Sequence, residues 1–437
     1  MLSWIERTRG KHKKLFFIVF LFVFLYTILH FLYSGIYFPI KHIKLGQIQE
    51  EIVPLVKFLQ GDKFIFDNPR QYGPFFIFVI TPFMIFYKSP VIFANMLLLF
   101  SYLLTALSFY ICYTYIFISP DTKNNSEKRI VFWSLLFLWL NFSPLLYIIT
   151  VKNVEIWELS LICFGFMMYT KRRYSWVGFS FAAATLIKML PALFIYYYFF
   201  KERKVFLYSM LWMGIIMLLA HITYGPSIGL LYFPFLLSRP LGSQTWAVSF
   251  FENISLKGFI YKLASFFKSS GYHFPSTPDA EQIAFLFTTF ILLVAIIYLA
   301  LTAIRKNCSR DEVLLQFAIV STFMILLAPI AAWEYTTLLL FAYSAGLYFI
   351  FYKNIPRYLL IFFGLSYFMV GNFIPLSVIV KVFPFQTMNI YLGNTIFEMS
   401  ESYKAYCVPL LGVILLAIFF IVLWHKRELL ENTEYNQ

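Results

Sequence analysis

The chain has 437 residues, of which 61% are hydrophobic and only 13% charged, with a mean hydropathy of +0.75. A soluble domain carries about 25% charged residues, so this composition excludes one and implies an all-α polytopic membrane protein. The net charge of +14 sits in short Lys/Arg clusters between apolar runs, a pattern of topology determinants and not of a nucleic-acid footprint.

The predicted elements follow from apolar length, about 20 residues per crossing, and from the cytoplasmic bias of Lys and Arg. The basic N-terminus (Arg7, Arg9, Lys11, Lys13, Lys14) is placed inside. Helix one runs from 15 to 33 and lacks a small-residue cleavage site, so it reads as an uncleaved helix and not a signal peptide. A first external loop region covers 34–90 and holds Glu50 and Glu51. Within it, 74–87 is apolar but too short to cross upright and reads as a half-helix. Residues 91–118 return to Lys123, Lys128 and Arg129. One span, 130–149, goes out to a short turn at 151–155, and 156–170 comes back to Lys171-Arg172-Arg173.

The next apolar stretch, 177–200, has basic clusters on both flanks, with Lys201, Arg203 and Lys204 after it. Both flanks fall inside if it is a re-entrant hairpin with its apex near Lys188–Pro191. The alternative is a full span with one cluster misplaced. Spans at 205–224, 283–304, 313–331, 336–352, 358–375 and 408–424 follow. A second external loop lies at 225–282, a short outer turn at Trp333-Glu334-Tyr335 and a cytoplasmic tail at 425–437. The expectation is one multi-spanning domain, 1–437, with about ten full transmembrane helices, two half-membrane elements, large external loops and both termini cytoplasmic.

A lysine at bilayer depth costs roughly 2.5–3.5 kcal/mol on insertion scales, which marks Lys188 as functional. Polar residues from distant parts of the chain converge on the outer face: Glu50, Glu51, Glu155, Glu158, Arg239, Asn253 and Glu334. Glu155, Glu158 and Glu334 stand at the ends of apolar runs, where desolvation makes a charge expensive. The cysteines, Cys112, Cys163, Cys308 and Cys407, lack CxxC spacing, and the six histidines form no HxxH or HxxxH pair. No disulfide framework, zinc site or other protein-built metal site is expected.

Several motifs carry a family resemblance. They are Lys152-Asn153-Val154-Glu155, the basic turn at 171–173, and the small-residue stretch from Ala182 that ends in Lys188-Met189-Leu190-Pro191. This order is similar to the multi-spanning GT-C glycosyltransferases. It most resembles glycosyltransferase family 87, the polyprenyl-phosphate-mannose-dependent mannosyltransferases, with their G-Q-x-N, basic turn and K-x-x-P. Asn253-Ile254-Ser255-Leu256-Lys257-Gly258 resembles the family's N-Q-S-L-x-G. Ala328 to Tyr335 resembles its S-P-x-x-W-x-H, one residue longer and without the histidine. Gln60-Gly61 and Gln71-Tyr72-Gly73-Pro74 resemble its first-loop pattern. Where the family carries a catalytic Asp, this chain has Gln47. The base has shifted about one helical turn, to Glu51 ahead of Glu50, or the alignment slips, or the chain is inactive.

The resemblance implies a membrane glycosyltransferase of the inner (plasma) membrane that inverts the anomeric centre by general-base catalysis. Its donor would be a polyprenyl-phosphate hexose, mannose by the resemblance, and its acceptor a glycolipid, glycan or protein. Glu51 or Glu50 would be the base. Lys152, Glu155, Lys188, Arg239, Asn253, Ser255, Trp333 and Glu334 would surround the substrates. Arg239 and Lys152 would face the leaving phosphate. Lys188 would reach that phosphate or pair with Glu155 or Glu158. No cofactor is implied, and no divalent metal is required, because the leaving group is a phosphate monoester. The rival readings are a transporter or lipid-glycan flippase, which predicts paired repeats that the sequence lacks, and a non-catalytic scaffold.

Overall fold

A computed structural model describes residues 21, 24–29, 31–41, 73–118, 125–226, 228–230, 253–260, 280–305, 308–328, 331–353, 355–371 and 408–426. Among these, 86% are helical and none is in a strand. The labelled helices are α1 (Pro74–Ile80), α2 (Pro90–Cys112), α3 (Asn125–Leu140), α4 (Ser143–Val151), α5 (Glu155–Thr170), α6 (Tyr174–Thr185), α7 (Ala192–Lys201), α8 (Arg203–Tyr224), α9 (Ala280–Ile304), α10 (Arg310–Leu326), α11 (Leu340–Tyr352), α12 (Arg357–Gly371) and α13 (Val408–His425). A 3₁₀ segment, Thr81–Phe86, extends α1, and another, Trp333–Leu339, leads into α11.

Five of the described helical stretches are long and apolar enough to cross a membrane: Pro90–Phe117, Arg203–Tyr224, Leu286–Ile304, Glu334–Tyr352 and Val408–His425. The bent pair Lys128–Leu140 and Ser143–Thr150 makes a sixth if counted as one span. The expected count of about ten rested partly on shorter helices such as α5 and α12, which have 16 and 15 residues. Burial sorts the bundle. Helix α10 is covered along nearly its whole length, from Leu314 to Ile325, and α11 is covered likewise. Helices α8 and α9 expose Leu207, Leu211, Phe287, Phe290, Ile297 and Leu301, a surface suited to hydrocarbon and not to water.

Two breaks have the same cause. The sequence predicts one span over 130–149, but the chain bends by 56° between α3 and α4. Pro144 has no N–H for the carbonyl of Leu140, and α3 ends at Leu140. Pro191 likewise has no N–H for the carbonyl of Ile187. That carbonyl accepts the N–H of Gly73 instead, at 2.8 Å, while Leu186 O accepts from Phe75 N–H at 3.1 Å. The start of α1 therefore satisfies backbone groups that the broken helix would leave bare, the condition for irregular backbone at depth.

Around the second break, α6 and α7 fold back on each other. Phe181 stacks on Phe194 with centroids 4.5 Å apart. Helix α8 then runs alongside α6 in the same direction: Gly178 lies against Tyr208 and Ser209, and further along both helices Ala183 packs with Ile216. Lys204 shares a cavity with Lys171, Arg172 and Arg173, so both flanking clusters lie at one end. Arg310, Lys353, Lys201 and Arg305 gather there too. Arg310 donates to Tyr115 O at 2.7 Å, Lys171 lies over the Tyr115 ring, Lys353 pairs with Asp311 at 2.6 Å, and Lys201 donates to Arg305 O.

Two boundaries differ from expectation. Helical structure continues through Phe31–Tyr37 and Phe38–Lys41, so the chain is still helical at 34, where the first loop was expected to begin. Helix α9 starts at Ala280, within the expected second loop. Where a half-helix was expected, the structure has a short apolar helical stretch, Pro74–Phe86.

Candidate active site

The break after Thr185 leaves Lys188 at the head of the α6–α7 hairpin, 4% exposed. Its ammonium donates to Glu155 Oε1 in a buried ion pair. It also lies 4.2 Å from the centroid of the Tyr335 ring, a position where the ring face attracts a cation. Glu155 and Glu158 both sit in the first turn of α5, three residues apart and on one face, where the helix dipole favours negative charge. Tyr335 and Glu334 come from the 3₁₀ segment Trp333–Leu339. Three chain segments far apart in sequence thus meet at one buried point.

The cluster has spare hydrogen-bonding capacity. Among the described residues, both oxygens of Glu158, Oε2 of Glu155, Nε1 of Trp157, and the hydroxyls of Thr185 and Thr337 have no hydrogen-bond partner. An unmet buried polar atom costs about 1–3 kcal/mol, so the three carboxylate oxygens of Glu155 and Glu158 beside the ion pair mark a place where another polar group is expected. Trp157, two residues after Glu155, is stacked on Phe76 of α1 at 5.6 Å and edge-on to Phe100 of α2 at 5.5 Å. Through Gly73 and Phe76, the end of the first loop is docked against both the hairpin and α5.

A second set of contacts ties the second loop to the 328–335 junction. Asn253 Oδ1 accepts from Ser255 N–H at 3.0 Å and from Ala331 N–H at 3.2 Å, and Ile254 N–H donates to Ala331 O at 2.7 Å. Ser255 Oγ accepts from Gly258 N–H at 3.0 Å. A Cβ on Gly258 would stand 2.8 Å from the Asn253 side chain, which is why the position needs glycine. Ile254, Ala328 and Ala331 form a small apolar core with Leu190 and Tyr335 packed on it. Asn253 and Ser255 thus hold backbone in place around Tyr335.

Lys152 ends α4 in the left-handed conformation, φ 58°. It is buried, and its ammonium donates to Thr150 O at 3.0 Å. Burial pushes its pKa below the ordinary lysine range. Asn153 beside it accepts from Val154 N–H at 2.9 Å.

Of the residues singled out in the sequence, Glu155 and Lys188 meet directly, and Glu334 adjoins Tyr335. Asn253 and Ser255 act through the backbone. Trp333 is described by its backbone alone; Glu50, Glu51 and Arg239 lie outside the described residues. Tyr335 was not selected, although it follows Trp333 by two residues, where the W-x-H pattern carries histidine. Trp157 was missed too, since an indole in an apolar run looks like any core residue.

The model of glycosyltransferase family 87 matches residues 71–329, more than half of the chain. The chain belongs to glycosyltransferase family 87. No curated protein matches it. The match to family 87 begins two residues before Gly73, the residue docked at the Lys188 break, and takes in Glu155, Glu158, Lys188 and the Asn253–Gly258 clip. Membership makes the protein a glycosyltransferase, and the apolar helices make it a membrane protein.

Proposed function

We propose that the protein transfers a hexose, mannose by the family resemblance, from a polyprenyl-phosphate donor to a glycolipid, glycan or protein acceptor. The reaction would take place at the outer side of the cytoplasmic membrane, with both termini inside. The observation that carries this reading is the buried Lys188–Glu155–Glu158 cluster at the end of the bundle opposite Lys171–Arg173 and Lys204. By the positive-inside rule the basic end is cytoplasmic, so the cluster faces outward. The twelve residues of α6 rise about 18 Å, which puts the apex of a re-entrant hairpin below the far edge of a hydrocarbon core about 30 Å thick. A sugar on a polyprenyl phosphate cannot leave the bilayer, and a recessed polar cluster suits it.

The base would be Glu51 or Glu50. The loop that carries them ends at Gly73, whose N–H is bound to Ile187 O beside Lys188. The carboxylate takes the proton of the acceptor hydroxyl. The hydroxyl oxygen attacks the anomeric carbon as the bond from that carbon to the phosphate oxygen breaks. Polyprenyl phosphate leaves with the electron pair, and the anomeric configuration inverts. Arg239 and Lys152 stabilise the leaving phosphate. Lys188, committed to Glu155, holds the cluster in place, and Glu158 supplies acceptors for hydroxyls of a bound sugar.

The test is transfer from a radiolabelled polyprenyl-phosphate hexose by the purified protein in proteoliposomes, with Glu50→Gln, Glu51→Gln and the double substitution. Loss of activity in one single variant and in the double assigns the base. Undiminished transfer in the double variant refutes it. Absence of transfer from the unaltered protein, across donors and acceptors, would favour a scaffold, for which Gln47 at the family's Asp position is the supporting observation.

A further inference from the structure

At the opposite end of the bundle, α5 gives way to α6 through Lys171-Arg172-Arg173. Arg172 has φ 56°, a conformation that glycine adopts with less strain. Its N–H closes on Tyr169 O at 2.9 Å, and that of Arg173 on Met168 O, also at 2.9 Å. The sequence thus keeps a guanidinium at a turn where glycine would be easier. Beside this turn is a cavity of about 760 Å³, lined by Lys171, Arg172, Arg173, Tyr174, Ser175, Trp176, Lys204 and Tyr208, with Met168 at its wall. Among the described residues no carboxylate lines it, and Glu202, just before α8, is not part of the lining. Lys171 is partly engaged with the Tyr115 ring at 5.0 Å; Arg172, Arg173 and Lys204 are the other cations of the lining.

The cavity lies where two helices begin. Arg173 precedes α6, and α8 opens with Arg203-Lys204. Neither helix has an acidic residue in its first turn or a side-chain cap. Cations at an N-terminus oppose the helix dipole, and uncapped first-turn N–H groups suit an anion. A bound anion would satisfy both. The walls indicate which kind. Trp176 is half exposed, and Leu207 and Leu211 are exposed on α8, each one turn beyond a lining residue, Lys204 and Tyr208. Interfacial aromatics and an apolar track suit a ligand that has acyl chains.

We propose that this cavity binds the phosphate headgroup of an anionic phospholipid, with the chains lying along α8. The lipid would belong to the inner leaflet, given the membrane orientation proposed above. Because the turn joins α5, which carries Glu155 and Glu158, to α6, which leads to Lys188, the headgroup would brace the two helices that assemble the outer cluster.

The test uses the full chain in detergent micelles and native mass spectrometry of bound lipid. Phosphatidylglycerol, phosphatidylcholine or inorganic phosphate is added at equal concentration. Retained phosphatidylglycerol, weaker phosphatidylcholine and no competition from inorganic phosphate are expected. Arg173→Gln/Lys204→Gln should bind phosphatidylglycerol about tenfold or more weakly. Arg357→Gln/Lys426→Gln, with the same charge loss at the same end, should bind as the unaltered protein does. If the double variant does not purify, Lys204→Gln alone carries the test, at about fivefold. Equal loss in the control variant, equal retention of phosphatidylcholine, or displacement by inorganic phosphate overturns the proposal. No sugar transfer is measured, so a failure here is distinct from a failure of the glycosyltransfer reading.

Discussion

Lys188→Met removes the cation of a pair whose side chains are 5% and 0% exposed, and leaves Glu155 and Glu158 buried side by side. Breaking a buried pair by removing one partner costs about 3–5 kcal/mol, most of it the stranded opposite charge. Loss of the Tyr335 ring contact falls within that range. Each kcal/mol moves Tm about 2–4 °C in domains of 150–250 residues and less in longer chains, so a fall of about 5–10 °C is expected. The assay is thermal unfolding of the detergent-purified protein by intrinsic fluorescence. Glu155→Gln should fall less, because its amide can still accept from Lys188. Glu155→Gln/Lys188→Met should regain part of what Lys188→Met loses, because one of the stranded charges is gone; Glu158 keeps the recovery incomplete. A Lys188→Met protein that melts within about 2 °C of the unaltered chain would refute the pairing as the reason for a lysine at this depth. A double variant no better than Lys188→Met would refute the stranded charge as the cause of the loss.

Glu158→Gln should leave Tm unchanged or raise it, since the carboxylate has no hydrogen-bond partner among the described residues. Transfer should fall about tenfold or more, the worth of a charged hydrogen bond; a drop in Tm as large as that of Lys188→Met would refute this. Asn253→Ala strands the N–H groups of Ser255 and Ala331 and should destabilise by about 2–4 kcal/mol. Asn253→Asp, which keeps the accepting oxygen, should recover most of that loss in the same thermal assay. Gly178→Ala places a Cβ 2.6 Å from Tyr208 Cβ and 2.8 Å from the backbone of Ser209, which should cost about 1–3 kcal/mol of strain. Gly214→Ala meets nothing within 4 Å and should be neutral or stabilising by up to about 1 kcal/mol.

The sequence pointed to a chain that folds back between 177 and 200 because charge and length constrain each other. Two basic clusters around 24 apolar residues can share a side only if the chain turns back, and the structure brings Lys171–Arg173 and Lys204 into one cavity. The bend at Asn141–Phe142 was missed. Pro144 was visible, but no charge interrupts 130–149, and a run read for hydropathy alone looks like one span. The cluster was half legible. Glu155 and Lys188 stood out because charge is expensive in an apolar run, and their pairing was one of two alternatives; packing across 33 positions decides it and selects Glu155 over Glu158 as the bonded partner. Tyr335 and Trp157 gave no such signal. Asn253 and Ser255 were found by motif, and their role is backbone anchoring, which no residue type announces by itself.

Pro191 shows how one residue organises the site. Without its ring, α6 could run on, Lys188 would stay in regular helix, and the carbonyl of Ile187 would be closed by residue 191. With it, that carbonyl is open and takes the N–H of Gly73 at 2.8 Å, so the same break that sets Lys188 against Glu155 also receives the end of the first loop. The Lys-x-x-Pro spacing then has a physical content. The proline frees the carbonyl four residues before it, and the lysine is the next residue along. A lysine one position earlier would supply the freed carbonyl itself, and one much later would lie within α7. The motif thus couples a buried cation to a backbone acceptor for the first loop. In the proposed mechanism it would act on the base through that loop's position and not through contact with the reacting atoms.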